Sequence, residues 1–261
     1  LILVVGSSVF PYYPYIPGPL LPEGAELVAI TSDPDEAVRA PMGDAIVADV
    51  KLTLAALLEA VPESGRPVPE PNQPPQEIPV SDPLSPSTVL TALGEALPED
   101  GIVVLESPTS TLALRNQLRL SRPGSYYFAA GGGLGFGLAA SVGVQIAQPD
   151  RPVVCVLGEG SAQYAITAFW SAVAYDVPVT FLVLQNQEYG ILKWFAEAEG
   201  VAGAPGLDLP KLDVASVAEG YGIEAHRAAD RDAAAGALAT ALASSKPELV
   251  EVPVAPGMAL F

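Results

Sequence analysis

Short continuous apolar runs alternate with helical periodicity along most of the chain, and the alternation is sharpest between residues 153 and 195. The apolar run 153–157 stops at Gly158-Glu159-Gly160, which predicts a buried strand ending in a turn that suits glycine. Ser161 is placed to cap a helix over 162–175, apolar on most faces and therefore buried against a sheet. A second apolar strand, 177–184, ends in Gln185-Asn186-Gln187-Glu188. Because a right-handed crossover returns the second strand parallel to the first, both polar turns belong at one sheet edge, where open parallel sheets bind ligands.

The flanking segments extend the pattern. Strands are expected at 1–5, 27–30 and 45–50 and a helix at 52–60, forming the second half of an open α/β domain. No dinucleotide fingerprint follows the first strand, since Gly6-Ser7-Ser8 lacks the required later glycine. Prolines at 62, 67, 69, 71, 74, 75, 79, 83 and 86 mark 62–86 as an extended linker. Beyond it, helices are expected at 87–96, from about 112, and at 134–147, 214–221 and 231–245, with strands at 101–105, 223–225 and 249–253 and a loop at 206–212. The fold class is α/β, with open, mostly parallel sheets flanked by helices. The layout is a Rossmann-like tail at 1–61, the linker 62–86, and a second domain at 87–261.

Glycines at 131, 132, 133, 135 and 137 let a ligand or another backbone come close, although a close-packed helix start would also use them. Phe136 and Leu138 break every register of G-x-G-x-x-G. Glu159 and Asn186, separated by 26 residues, bring two hard oxygen ligands toward one spot, an arrangement that with a backbone carbonyl suits magnesium.

Composition narrows the partners. With 50% hydrophobic residues in 261, the chain can bury a sizeable core. Thirty acidic residues against twelve basic ones give a net charge of −18, which repels nucleic acid and anionic membrane surfaces. The uncharged stretch 123–149 is interrupted by glycines, and its helix is too short to span a bilayer. Cys155, inside an apolar strand, reads as a small buried hydrophobe, and His226, without a second zinc ligand, as a surface residue.

Gly158-Glu159-Gly160, 24 further residues and Gln185-Asn186 resemble the thiamine-diphosphate binding motif, which begins GDG and ends NN. Together with SRPGSYYFAAGGGLGFGLAASVGVQIA, QNQEYGILKWF and DPDEAVRAPMGDAIVADV, they resemble the carboxyl-terminal part of the benzoylformate decarboxylase family of thiamine-diphosphate-dependent 2-oxo-acid decarboxylases. The resemblance runs through nearly the whole chain. It implies magnesium held by Glu159, Asn186 and the Glu188 carbonyl. The diphosphate would lie against Gly158, Gly160, Ser161, Tyr164, Tyr189, Gly190 and Ile191, and the aminopyrimidine against Gly132 and Gly133, with Leu134 propping the bent cofactor. Phe128, Leu192 and Phe195 would line the pocket of an aromatic 2-oxo acid or aldehyde. A cytoplasmic homotetramer with the cofactor between subunits is implied, as is an amino-terminal pyrimidine-binding domain that carries the activating glutamate and is absent from this sequence. The competing expectation is a catalytically silent regulatory domain that binds a nucleotide at Thr31-Ser32-Asp33.

Three positions depart from the family pattern: Glu159 for aspartate, Gln185 for the first asparagine, and Tyr13 where a catalytic histidine is expected. A phenol of pKa about 10 shuttles protons poorly near neutrality, each pKa unit of mismatch being about 1.4 kcal/mol. The closing protonation should slow, so that a second aldehyde captures the intermediate more often. Product partitioning with added acetaldehyde, in the complete enzyme and its Tyr13→His variant, should show more carboligation for tyrosine; equal partitioning would make Tyr13 a packing residue.

Overall fold

The computed structural model describes residues 1–10, 18–67, 78 and 81–258, and the chain divides into two compact units, Leu1–Pro71 and Asn72–Phe261. Tyr13 lies outside the described residues.

In the first unit β1 (Ile2–Val5), β2 (Leu27–Thr31) and β3 (Asp44–Val47) form a parallel sheet in the order β1-β2-β3. The third strand is shorter than expected because Asp49 leaves it to cap α2 (Val50–Ala60), accepting the Leu52 N–H at 2.9 Å. Asp33 likewise caps α1 (Pro34–Arg39) through the Asp35 N–H at 2.8 Å, and the Thr31 hydroxyl accepts the Asp33 N–H at 3.1 Å. The polar groups considered for a nucleotide are thus committed to the turn itself. Val9, Leu27 and Ala29 form a small core.

The second unit is a six-stranded sheet, parallel throughout. In chain order its elements are α3 (Pro86–Ala96), β4 (Ile102–Glu106), α4 (Thr111–Gln117), β5 (Tyr126–Phe128), α5 (Gly137–Ala147), β6 (Val153–Gly158), α6 (Glu159–Ala162), α7 (Ala168–Ala174), β7 (Thr180–Gln185), α8 (Gly190–Ala198), α9 (Val214–Tyr221), β8 (Glu224–Arg227), α10 (Arg231–Ala243) and β9 (Glu248–Pro253). The spatial order is β5-β4-β6-β7-β9-β8.

Alternation along the strands divides the core between two faces. Val103, Leu105, Val154, Val156, Leu182, Leu184, Val250 and Val252 pack toward α3, α4 and α10. Ile102, Val104, Val153, Cys155, Leu157, Phe181, Val183 and Leu249 pack toward α5, α7 and α9. Both faces are covered, which is why the sequence runs are continuously apolar rather than alternating. Cys155 pairs with Val104 and Phe181, is fully buried, and burial pushes its thiol pKa up.

Two helices differ from expectation. The helix read over 162–175 begins at Glu159 and breaks after one turn, so Ser161 lies inside α6 rather than capping it. From Gln163 to Trp170 the backbone closes i→i−3 bonds, among them Tyr164 N–H to Ser161 O at 3.1 Å and Ala168 N–H to Ala165 O at 2.9 Å, tightening the coil until α7 resumes. The helix read from 134 starts at Gly137, because Gly135 has φ +97°. His226, expected at the surface, is only partly exposed, and its Nε2 lies 2.9 Å from the Glu248 carboxylate.

At the start of α9 the buried Glu251 carboxylate accepts the Val214 and Ala215 N–H groups at 3.0 and 3.1 Å. Burial nevertheless holds its pKa above the ordinary 4.5. As pH rises from that value through the raised one, the folded protein must charge a buried group that the unfolded chain ionises freely, so stability falls. Glu251→Gln should flatten part of this decline in urea-unfolding midpoints measured across that window, leaving the share of Glu159; an unchanged slope would refute it.

Candidate active site

β4, β6 and β7 are adjacent and parallel, so Glu106-Ser107, Gly158-Glu159 and Gln185-Asn186 emerge at one edge. The chain leaves β4 for β5 on one side and returns to β6 on the other, which makes the gap between β4 and β6 the topological switch point of the sheet. Gly158 sits in that gap. A Cβ on it would lie 3.7 Å from the Ser161 hydroxyl oxygen and 3.9 Å from that of Ser107, so both hydroxyls face one small space.

Glu159 is 1% exposed. Its carboxylate accepts the Gln187 N–H at 2.5 Å, and no ion pair among the described residues supplies it with a cation. Burial, more than the opposing backbone N–H groups of Glu159, Gln187 and Asn186, raises its pKa. Asn186 bends back through its Oδ1, which accepts the Glu188 N–H at 3.2 Å, and Gln187 takes φ +60° to close the turn. Gln185 instead holds a neighbouring loop, donating from Nε2 to the Leu212 carbonyl at 2.6 Å. Its longer side chain is explained by that reach.

The turn continues into a second pairing. Glu188 bridges antiparallel to Asp208, with Tyr189 N–H to Leu207 O at 2.9 Å and Leu209 N–H to Gln187 O at 2.7 Å; neither bond uses the Glu188 carbonyl. The Glu188 side chain accepts Lys193 Nζ at 2.5 Å and the Gly257 N–H at 2.7 Å, while Lys193 also meets Asp208 at 2.6 Å. Lys193 was not singled out by sequence reasoning, although its place four residues after Tyr189 and one turn into an amphipathic helix put it on the motif's side. Gly190 leaves little room for a side chain, since a Cβ would stand 3.0 Å from Thr109 and 3.2 Å from the Asn186 amide. Thr109, on the short 3-10 turn Pro108–Ser110, is thereby a second residue missed.

Beside β4 a cavity of about 160 Å³ is lined by Glu106, Ser107, Phe128, Gly132, Gly133 and Leu134, among others. Gly132 has φ +71°, and nothing stands within 4 Å of a Cβ placed at 131, 132 or 133. Phe128 is 46% exposed, with the Arg115 guanidinium 5.7 Å above its ring. Leu192 and Phe195, both on α8, are not among this cavity's lining residues. Ile191 lies on the first turn of α8, and Tyr164, 60% exposed, packs beside Gly135.

Among the described residues no cluster of three or more His, Cys, Asp or Glu side chains could hold a metal. A carboxylate, a side-chain amide and a carbonyl are a donor set that only a hard ion with water or phosphate oxygens completes. Buried and uncompensated, the Glu159 carboxylate fits such an ion.

The family model for thiamine pyrophosphate enzymes, C-terminal TPP binding domain, matches residues 109–252. Benzoylformate decarboxylase of Pseudomonas aeruginosa is 52% identical over 254 residues, covering 97% of this chain and 48% of that protein. A putative acetolactate synthase large subunit, IlvX, of Mycobacterium tuberculosis is 34% identical over 93% of this chain and 45% of its own length. Among solved structures, the thiamine diphosphate-dependent 4-hydroxybenzoylformate decarboxylase of Rhodococcus jostii RHA1 superposes with TM-score 0.91 at 41% identity, covering 99% of this chain and 50% of that one. Benzoylformate decarboxylase from Polynucleobacter necessarius gives 0.92 at 33% identity, covering 100% and 50%. The chain spans about half the length of the curated relatives it matches.

Gly160 is the tightest point of the Gly158–Gly160 turn, where a Cβ would lie 2.8 Å from Tyr189 Cε1 and 2.9 Å from Leu209 Cδ1. Gly160→Ala should therefore cost about 1–3 kcal/mol by overpacking, read as a lowered denaturation midpoint; a midpoint equal to wild type would show that the Tyr189 ring yields freely.

Proposed function

Because the chain belongs to the thiamine pyrophosphate enzymes through their C-terminal TPP binding domain, we propose that it is the diphosphate- and metal-binding half of a decarboxylase acting on an aromatic 2-oxo acid. The products would be carbon dioxide and an aldehyde, with carboligation as a side reaction. One observation carries this reading: a buried carboxylate without a cation, two serine hydroxyls and an asparagine turn converge on the switch point of the sheet.

When bound, thiamine diphosphate supplies the electron sink that lets the carboxylate leave as carbon dioxide. The protein's part is placement. Glu159, Asn186 and the Glu188 carbonyl would hold magnesium, and Ser107, Ser161 and Thr109 would offer hydroxyls to the diphosphate. Gly132, Gly133 and Leu134 would receive the aminopyrimidine in the cavity beside β4, where Phe128 gives an apolar wall to an aryl group. Leu192 and Phe195 would reach the substrate from α8, on a wall separate from that of Phe128. Tyr164, Trp170 and Tyr175, each more than half exposed, give the α7 region an apolar surface in keeping with a homotetramer whose cofactor lies between subunits. Among the described residues no helix is long and apolar enough to cross a membrane.

Asn186→Leu in the complete enzyme keeps the side chain's size and removes one ligand oxygen. Calorimetry should then show thiamine-diphosphate binding that no longer responds to magnesium. Affinity that still rises with magnesium as in wild type would overturn the metal assignment.

A further inference from the structure

Glu106 ends β4 in the interior of the sheet, between β5 and β6, and is 5% exposed. Its carboxylate takes three consecutive backbone N–H groups: Oε1 accepts those of Gly135 and Phe136, the latter at 3.2 Å, and Oε2 accepts that of Gly137 at 2.6 Å. None of the ion pairs among the described residues includes it.

A local cap would have sufficed for stability alone. Asp213 and Asp230 start α9 and α10 in that way, each from the residue just before its helix. By contrast α5 has no side-chain cap of its own, and the group that satisfies its first N–H donors arrives from a strand 29 to 31 residues earlier. Gly137 is required by this closeness, since a Cβ there would lie 2.7 Å from the Glu106 Cβ and 2.8 Å from Oε2. The three glycines upstream, 131 to 133, are open on the side where a Cβ would stand. One end of the glycine loop is thus clamped to the strand edge while its middle is left free to meet another molecule.

We infer that Glu106 is a positioning residue: by clamping the Gly135, Phe136 and Gly137 N–H groups it sets the height of the glycine loop above the β4 edge, and so the place of Gly132 and Leu134 against the cofactor's ring. The inference rests on the proposal that this loop receives the aminopyrimidine. A glutamine at 106 keeps the shape but turns an NH2 group toward N–H donors, so at least one of the bonds is lost.

The test uses the complete enzyme and its Glu106→Gln and Glu106→Asp variants, the second keeping the charge but withdrawing it by a methylene. Amide hydrogen exchange over 131–137 in the cofactor-free protein, and thiamine-diphosphate affinity with magnesium by calorimetry, are the readouts. Glu106→Gln should speed exchange in that segment alone and weaken cofactor binding about tenfold or more, with Glu106→Asp between it and wild type. Exchange that rises across the whole sheet in both variants, with cofactor affinity lost only in proportion to unfolding, would reduce Glu106 to a stabilising cap and overturn the inference. Wild-type exchange and affinity in Glu106→Gln would overturn it equally. Should Glu106→Gln fail to fold, the aspartate variant alone decides between these outcomes. Failure of the wild-type loop to gain protection when thiamine diphosphate binds would instead overturn the cofactor assignment of the loop.

Discussion

Parallel pairing buried on both faces governs this domain. Along β4, β6 and β7, covered by helices above and below, no charged side chain stands between the strand ends, so the polar groups of these three strands appear where the strands stop. Register then decides which groups meet: Glu106 stands beside Leu157, and Gly158 beside Leu184, so each of the three strands ends one residue beyond its neighbour. A slip of one residue in β6 would exchange the two hydrophobic faces and bring Gly158 out of the gap.

Two carboxylates at that edge, Glu106 and Glu159, are both nearly inaccessible and both solvated by backbone N–H groups rather than by cationic side chains. Their difference is instructive. Glu106 receives three donors from one helix start, whose dipole also favours a negative charge, and both its oxygens are engaged. Glu159 faces an asparagine turn, and burial outweighs the donors it has. The first arrangement is a structural joint, the second a carboxylate whose burial is less fully offset.

Much of this was readable from residue order, for identifiable reasons. β6 and β7 announce themselves as apolar runs closed by polar turns, and α9 is bracketed by its cap Asp213 and by Gly222, which takes φ +94°. That Glu159 and Asn186 stand at one sheet edge was legible because both follow adjacent parallel strands. Nothing local foretells the break between α6 and α7, for 161–175 holds neither glycine nor proline. β5, three residues long at the sheet edge, is too short to carry a period. Glu106 and Lys193 act through partners tens of residues away or on another loop, and such long-range bonds leave no periodic trace in the chain.

The single cysteine carries a consequence for experiment. Cys155 lies in β6 between Val104 and Phe181, wholly buried, with a thiol that burial keeps protonated. Since only the thiolate reacts with alkylating reagents, it stays silent for as long as β6 remains between its neighbours. Its rate of modification is therefore a built-in clock for the opening of the central sheet, blind to fraying of the surface loops and supplied by nature without an added label.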